Sequence, residues 1–232
     1  MDPGPSRRRL MEAGETIDAA FSLYRHNAAL FAGVLAVVLI PQAILDVIAP
    51  ALTALSVITN TAGLGALVVA VSARHTGHEI TIGEAYSALV TSRFMTLVAT
   101  YVVYVVVVTL GLVLAIVPGI YFMVRFAFFA PAVVLEQRGI GGALSRSSDL
   151  VRGHWGRVFG VGLLVFILSV VVEGLLSAVF GVSHSPRAAN ALAVIAGLLV
   201  QPVAVSALVL LYYDLRLRKE GPIGTPSMAG VP

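Results

Sequence analysis

Apolar positions recur at i, i+3 and i+4 in three short segments, and each segment precedes a long run almost without charge. The segments share the pattern Ile-x-x-Ala-(Phe/Tyr/Leu)-Ser: Ile17, Ala20, Phe21, Ser22; then Ile82, Ala85, Tyr86, Ser87; then Ile140, Ala143, Leu144, Ser145. This spacing lines one face of an α-helix, and Tyr24 and Leu89 carry the stripe to i+7 in the first two copies. Helices are predicted over 15–25, 82–92 and 140–151, with the stripe toward lipid or the bundle and Glu15, Glu84 and Arg146 toward water.

The apolar runs are long enough to count spans. Residues 28–73 hold one charge, Asp46; residues 94–135 hold only Arg125; residues 158–213 hold only Glu173 and Arg187. A helix needs about 20 residues to cross the hydrocarbon core, so each run suits two crossings and a tight turn. Turn chemistry stands at Ala49-Pro50, at Pro118-Gly119 and from Gly181 to Pro186. Spans are therefore predicted near 28–48, 51–73, 94–117, 120–136, 155–180 and 188–213. The fold class is all-α: a polytopic six-helix transmembrane bundle of three helix-plus-hairpin repeats (about 14–73, 79–136 and 138–213) with cytoplasmic amphipathic helices. The membrane domain fills 14–220, between a basic tail over 1–13 and a Pro- and Gly-containing tail over 221–232.

Composition agrees. With 58% hydrophobic and 12% charged residues, the chain lacks the polar surface that a soluble domain of its size needs. The cations set an orientation. Of fourteen Arg and one Lys, thirteen lie in the N-terminal segment, the 74–93 loop, the 136–157 loop and the tail after Asp214. By the positive-inside rule both termini and both long loops are expected in the cytoplasm of a bacterial inner-membrane protein. The net charge of +3 reads as topology and attraction to anionic headgroups, with no nucleic-acid footprint. Acidic residues after Arg7-Arg8-Arg9 separate that cluster from the first apolar run, so it reads as an anchor rather than an export signal. Without Cys, thiol chemistry is absent.

Three constellations hold candidate chemistry. His75-Thr76-Gly77-His78-Glu79 offers nitrogen and oxygen ligands but fits no zinc-binding helix pattern, and reads as a turn before a helix capped near Thr81. Ser145, Ser147, Ser148, Asp149 and His154 share one amphipathic segment without a nucleophile elbow, so packing is the expected role. Asp46, Arg125 and Glu173 form the candidate intramembrane polar cluster, one residue from each repeat. Counting about 1.5 Å per residue puts all three in the outer third of the membrane, where buried charges pair. Arg125 is expected to turn to Glu173, with Asp46 next, as a structural tie. Gly156-x-x-x-Gly160 and Ala62, Ala66, Ala70 suit close helix packing; Trp155, Tyr212 and Tyr213 suit interfacial anchoring. No catalytic residue, metal site or cofactor is predicted.

A further string is recognisable. Pro118-Gly119-Ile120-Tyr121 leads to Val124-Arg125 and to Pro131-Ala132-Val133-Val134-Leu135-Glu136; Ala143 to Ser147, Leu150 to Gly153 and Trp155 follow, and Tyr212-Tyr213-Asp214-Leu215-Arg216 stands near the end. Over roughly 14–220 the chain resembles the membrane domain attached to some glycerophosphoryl diester phosphodiesterases, which also occurs alone in bacteria. The resemblance implies a multi-helix membrane protein. It does not carry the phosphodiesterase chemistry, which belongs to a separate soluble barrel. The expected function is a non-catalytic scaffold or accessory subunit for envelope or lipid-metabolism proteins, with membrane lipids and other membrane or envelope proteins as partners. The alternative is a small transporter or lipid-handling protein.

Overall fold

Three times along the chain a short helix precedes two long apolar segments. The structure, a computed structural model, describes residues 13–48, 56–89, 91–180 and 186–221. Among them run α1 (Ala13–His26), α2 (Ala28–Ile48), α3 (Ser56–His75), α4 (Ile82–Ser87), α5 (Thr91–Leu114), α6 (Ile116–Arg125), α7 (Phe129–Val134), α8 (Ile140–Val151), α9 (Trp155–Phe180) and α10 (Pro186–Glu220). No strand occurs among the described residues. Six stretches are long and apolar enough to cross a membrane: Ala28–Leu45, Ser56–His75, Arg93–Leu114, Ile116–Val134, Trp155–Ala178 and Leu192–Glu220. Their outer faces remain apolar. Val113, Leu114, Ile116 and Val117 are 70–82% exposed around the α5–α6 turn, a patch that water would not tolerate and acyl chains would. The chain is a helical membrane protein.

The turns at Ala49-Pro50 and Gly181–Ser185 lie outside the described residues. The third does not fall where the Pro-Gly pair predicted it. α5 and α6 meet at Ala115, and Pro118 and Gly119 lie inside the first turn of α6. Proline is tolerated there because a first-turn N–H has no intrahelical acceptor. Gly119 serves close approach instead: a Cβ on it would stand 2.8 Å from the Leu112 backbone nitrogen, and one on Gly111 would stand 3.0 Å from the Gly119 Cα.

The fourth span also departs from the single helix expected over 120–136, because it breaks at Phe126–Phe128. Pro131 is the cause: it has no N–H to give the Ala127 carbonyl, and its ring would strike that carbonyl in a regular helix. The chain tightens, so that Ala127 N–H donates to the Val124 carbonyl and Phe129 N–H to the Phe126 carbonyl. All six residues of α7 are buried.

Two apolar clusters form the core. One joins Phe31 and Leu35 of α2, Ala66 to Val71 of α3, Leu97 of α5, α7 and Val209 of α10. The other joins Phe128, Leu150, Val158 and Val161 to Leu211, Tyr212 and Leu215 of α10. α10 therefore packs into both. Its 35 residues extend about 50 Å, against a hydrocarbon core of about 30 Å. The last turns, with Asp214 to Glu220, project into the charged end of the bundle.

The short helices use the recurring pattern in one consistent way: Ala20, Ala85 and Ala143 are each completely buried, which lets helix backbones approach. Thr81 caps α4 through a capping box, its hydroxyl accepting the Glu84 N–H at 3.3 Å and its N–H donating to the Glu84 carboxylate at 2.7 Å. That Thr81 N–H, then the Thr81 hydroxyl, hold the Glu84 carboxyl below its usual range. α4 stops at Ser87 rather than residue 92, because α5 already begins at Thr91. Gly156 and Gly160 do not mark a tight helix contact among the described residues: a Cβ on either would meet no neighbouring atom within 4 Å.

Candidate functional site

Of the predicted cluster of Asp46, Arg125 and Glu173, the expected pairing of Arg125 with Glu173 does not form among the described residues. Glu173 lies on the exposed face of α9, and no ion pair joins it to Arg125 among the described residues. Asp46 belongs to α2, and its side chain lies outside the described residues. Arg125 instead ends α6, where its Nε donates to the Ser148 hydroxyl at 2.9 Å and an Nη donates to the Tyr121 hydroxyl at 2.8 Å. Its guanidinium also lies 5.7 Å from the Tyr121 ring centre and 6.0 Å from that of Phe126. The reason is geometric. With the turn at Ala115, Arg125 lies about 15 Å along the helix from it, farther from that end than expected and within reach of Ser148 on α8.

Ser147 of α8 repairs the break in the fourth span. Its hydroxyl accepts the Phe128 N–H at 3.0 Å and donates to the Arg125 carbonyl at 2.9 Å. These are two backbone groups that the tightened turn leaves unpaired. Ser147 and Ser148 are thus buried structural donors and acceptors, as their packing role predicted, while Ser145 is exposed.

The densest polar constellation centres on Glu136, whose side chain is 8% exposed. Arg146 donates to Oε1 through Nε at 2.9 Å and Nη2 at 2.8 Å, and the Tyr212 hydroxyl donates to the same oxygen. Arg138 donates to Oε2 at 3.0 Å, and Arg216 lies 3.8 Å from Oε1. Arg146 and Arg216 both continue to Glu220, at 2.5 and 2.9 Å. Burial pushes the Glu136 carboxyl up, but the Arg146 and Tyr212 hydrogen bonds and the Arg146 charge outweigh it and hold the group below the usual carboxylate range. Burial likewise opposes the charge on Arg146, and its bonds to Glu136 and Glu220 reverse that and raise it. The local backbone is shaped for the site: Gln137 takes φ +55°, and Arg138 N–H returns to the Ala132 carbonyl at 3.2 Å.

A second tie lies on the opposite face of α10, where Asp214 pairs with Arg157 at 3.3 Å and Arg218 at 2.8 Å. Lys219 donates to the Asp149 and Arg152 carbonyls at the end of α8, where a cation suits the helix dipole. These contacts correct two expectations. Arg146 faces the network rather than water, and Tyr212 is fully buried rather than interfacial. Tyr213 bonds the Ser72 hydroxyl at 2.7 Å and stacks on His75. Thr76 bonds His78 within its turn, and Arg74 pairs with Glu79 at 3.7 Å. Among the described residues no group of three or more His, Cys, Asp or Glu gathers as a metal site.

Glu136, Arg146, Arg216 and Glu220 were missed as a site by sequence reasoning. Their signal was positional: Glu136 ends one apolar run, and Tyr212 to Arg216 ends another. Beside the network, a cavity of about 350 Å³ opens between α6, α8 and the start of α9, lined by Tyr121, Arg125, Ser148, Arg152 and Trp155 among others. No curated protein and no solved structure matches the chain. A family model described as a domain of unknown function (DUF7847) matches residues 66–214, which hold the broken span, α8, Glu136 and Tyr212. That match covers well over half of the sequence, and the chain belongs to the DUF7847 family.

Proposed function

We propose that this protein is a non-catalytic scaffold or accessory subunit of a bacterial inner membrane, working with envelope or lipid-metabolism proteins. Both termini and the charged end face the cytoplasm in this reading, which the distribution of thirteen cations at that end supports. Three helix-plus-hairpin repeats are supported by the recurring order of one short and two long segments and by the buried alanine in each short helix.

The observation that carries the proposal is the Glu136 constellation. Its carboxylate is saturated by Arg146, Arg138 and Tyr212, and Arg146 is in turn bound to Glu220. Groups committed to one another in this way fix α7, α8 and α10 in a single arrangement. A reaction site needs a poised base, acid or nucleophile; these side chains are instead spent on rigidity. The product is a stiff charged platform on α8 and α10, with α1 packed against α10 and α4 presenting a further exposed helix.

The test uses the full chain in native membranes, crosslinked through a cysteine introduced at the exposed Gly83 of α4. A stoichiometric protein partner, lost on charge reversal at Glu79, whose side chain is 95% exposed, while the bundle stays folded, is expected. Solute turnover or transport by the purified protein alone in proteoliposomes would overturn the scaffold reading.

A further inference from the structure

We propose that the cavity between α6, α8 and α9 binds a phosphate group. The inference goes beyond the scaffold reading and does not depend on it. Arg125 and Arg152 both line the cavity, and neither pairs with a carboxylate among the described residues. Arg138, Arg146, Arg157, Arg216 and Arg218 all do. Two cations lining one cavity without an acidic partner leave a local positive charge there. One of them lies within an apolar span, where such a charge needs a counter-ion.

The remaining lining groups have the same polarity. Arg125 has five N–H donors, of which Ser148 and Tyr121 take one each. The rest of its fork is available for bidentate contact with an oxyanion. Ser148 and Tyr121 accept from Arg125, so each hydroxyl keeps a proton to donate. The Trp155 indole N–H is buried without an acceptor among the described residues. Donors thus surround the cavity, and no carboxylate lines it. A phosphate supplies the acceptors that this set lacks. At about 350 Å³ the space falls in the range of small-ligand sites, roughly 300–1,000 Å³, so it holds a phosphate and part of what the phosphate is attached to. Val117 and Tyr121, one turn apart on α6, are 77% and 42% exposed, which leaves an apolar track for acyl chains if the phosphate belongs to a lipid.

Trp155 is the single tryptophan of the chain and lines the cavity, so its fluorescence reports on the site directly. The full-length protein in neutral detergent is titrated with three probes: dioctanoyl phosphatidylglycerol, inorganic phosphate and dioctanoylglycerol. A saturable change with a phosphate-bearing probe and none with dioctanoylglycerol is expected. A response to phosphatidylglycerol alone identifies a lipid phosphate, and a response to inorganic phosphate shows that the anion suffices. Arg152→Gln, whose exposed side chain makes no ion pair among the described residues, keeps the fold. It should weaken binding about tenfold, the effect of one charged hydrogen bond, whereas Arg25→Gln, remote from the cavity, should not. No saturable change with either phosphate source, an equal response to dioctanoylglycerol, or equal weakening by the two variants would overturn the proposal.

Discussion

The Ser147 hydroxyl and the Phe128 N–H lie 3.0 Å apart, joining α8 to the break between α6 and α7. Through that contact, and through its bond to the Arg125 carbonyl, α8 satisfies the backbone that Pro131 disrupts. In a low-dielectric interior an unpaired N–H or C=O is costly. The break is therefore stable only while α8 is docked.

Ser147→Ala should strand both backbone groups and lower stability by about 1–3 kcal/mol. Ser145→Ala, two residues away on the exposed face, should change it by no more than about 0.5 kcal/mol. Thermal unfolding of the purified variants in detergent measures the difference; equal losses would remove the repair role.

Acid should loosen the charged end. The folded Glu136 carboxyl is held below its ordinary range. Its contribution is therefore complete above the unfolded pKa of about 4.3, and it is lost as pH falls through the folded value. Unfolding temperature should fall over that acid window. Glu136→Gln should be less stable at pH 7 and should show a shallower fall. An acid profile identical in wild type and variant would refute this assignment.

Much of the fold was legible because hydrophobic run length and helix-end chemistry speak directly to spans. α2 and α9 occupy the predicted 28–48 and 155–180, and α8 occupies 140–151. Pro118-Gly119 misled because a turn and a tight helix contact call for the same residues. Its role as a contact depends on Gly111, which only the folded hairpin brings near. Pro131 has the chemistry of a helix break, but it stands inside an apolar run whose length was read as one span. Rise per residue estimates depth but not which way a side chain points. Glu173 is thus a carboxylate within a span that faces outward. The Glu136–Tyr212 contact spans 76 residues, and no local pattern encodes such a pairing.

Enlarging the buried alanines should overpack all three short helices. Ala20→Leu, Ala85→Leu and Ala143→Leu should each cost about 1–3 kcal/mol, because each position is completely buried. Denaturant or thermal unfolding reads the loss, and a neutral substitution at any one of them would separate that helix from the other two.

Reporter fusions after residue 78 and after residue 220 should both report the cytoplasm. An external signal at either position would overturn the proposed orientation.

A double-mutant cycle between Glu136 and Arg146 tests most directly whether the polar constellation is a structural tie. Glu136→Gln and Arg146→Gln should each destabilise the detergent-solubilised protein, and the double variant should lose less than their sum. The expected coupling is at least about 1 kcal/mol, within the usual range for residues of one network. Strictly additive losses, or single variants as stable as the wild type, would contradict the account and return Glu136 to the candidates for a working site.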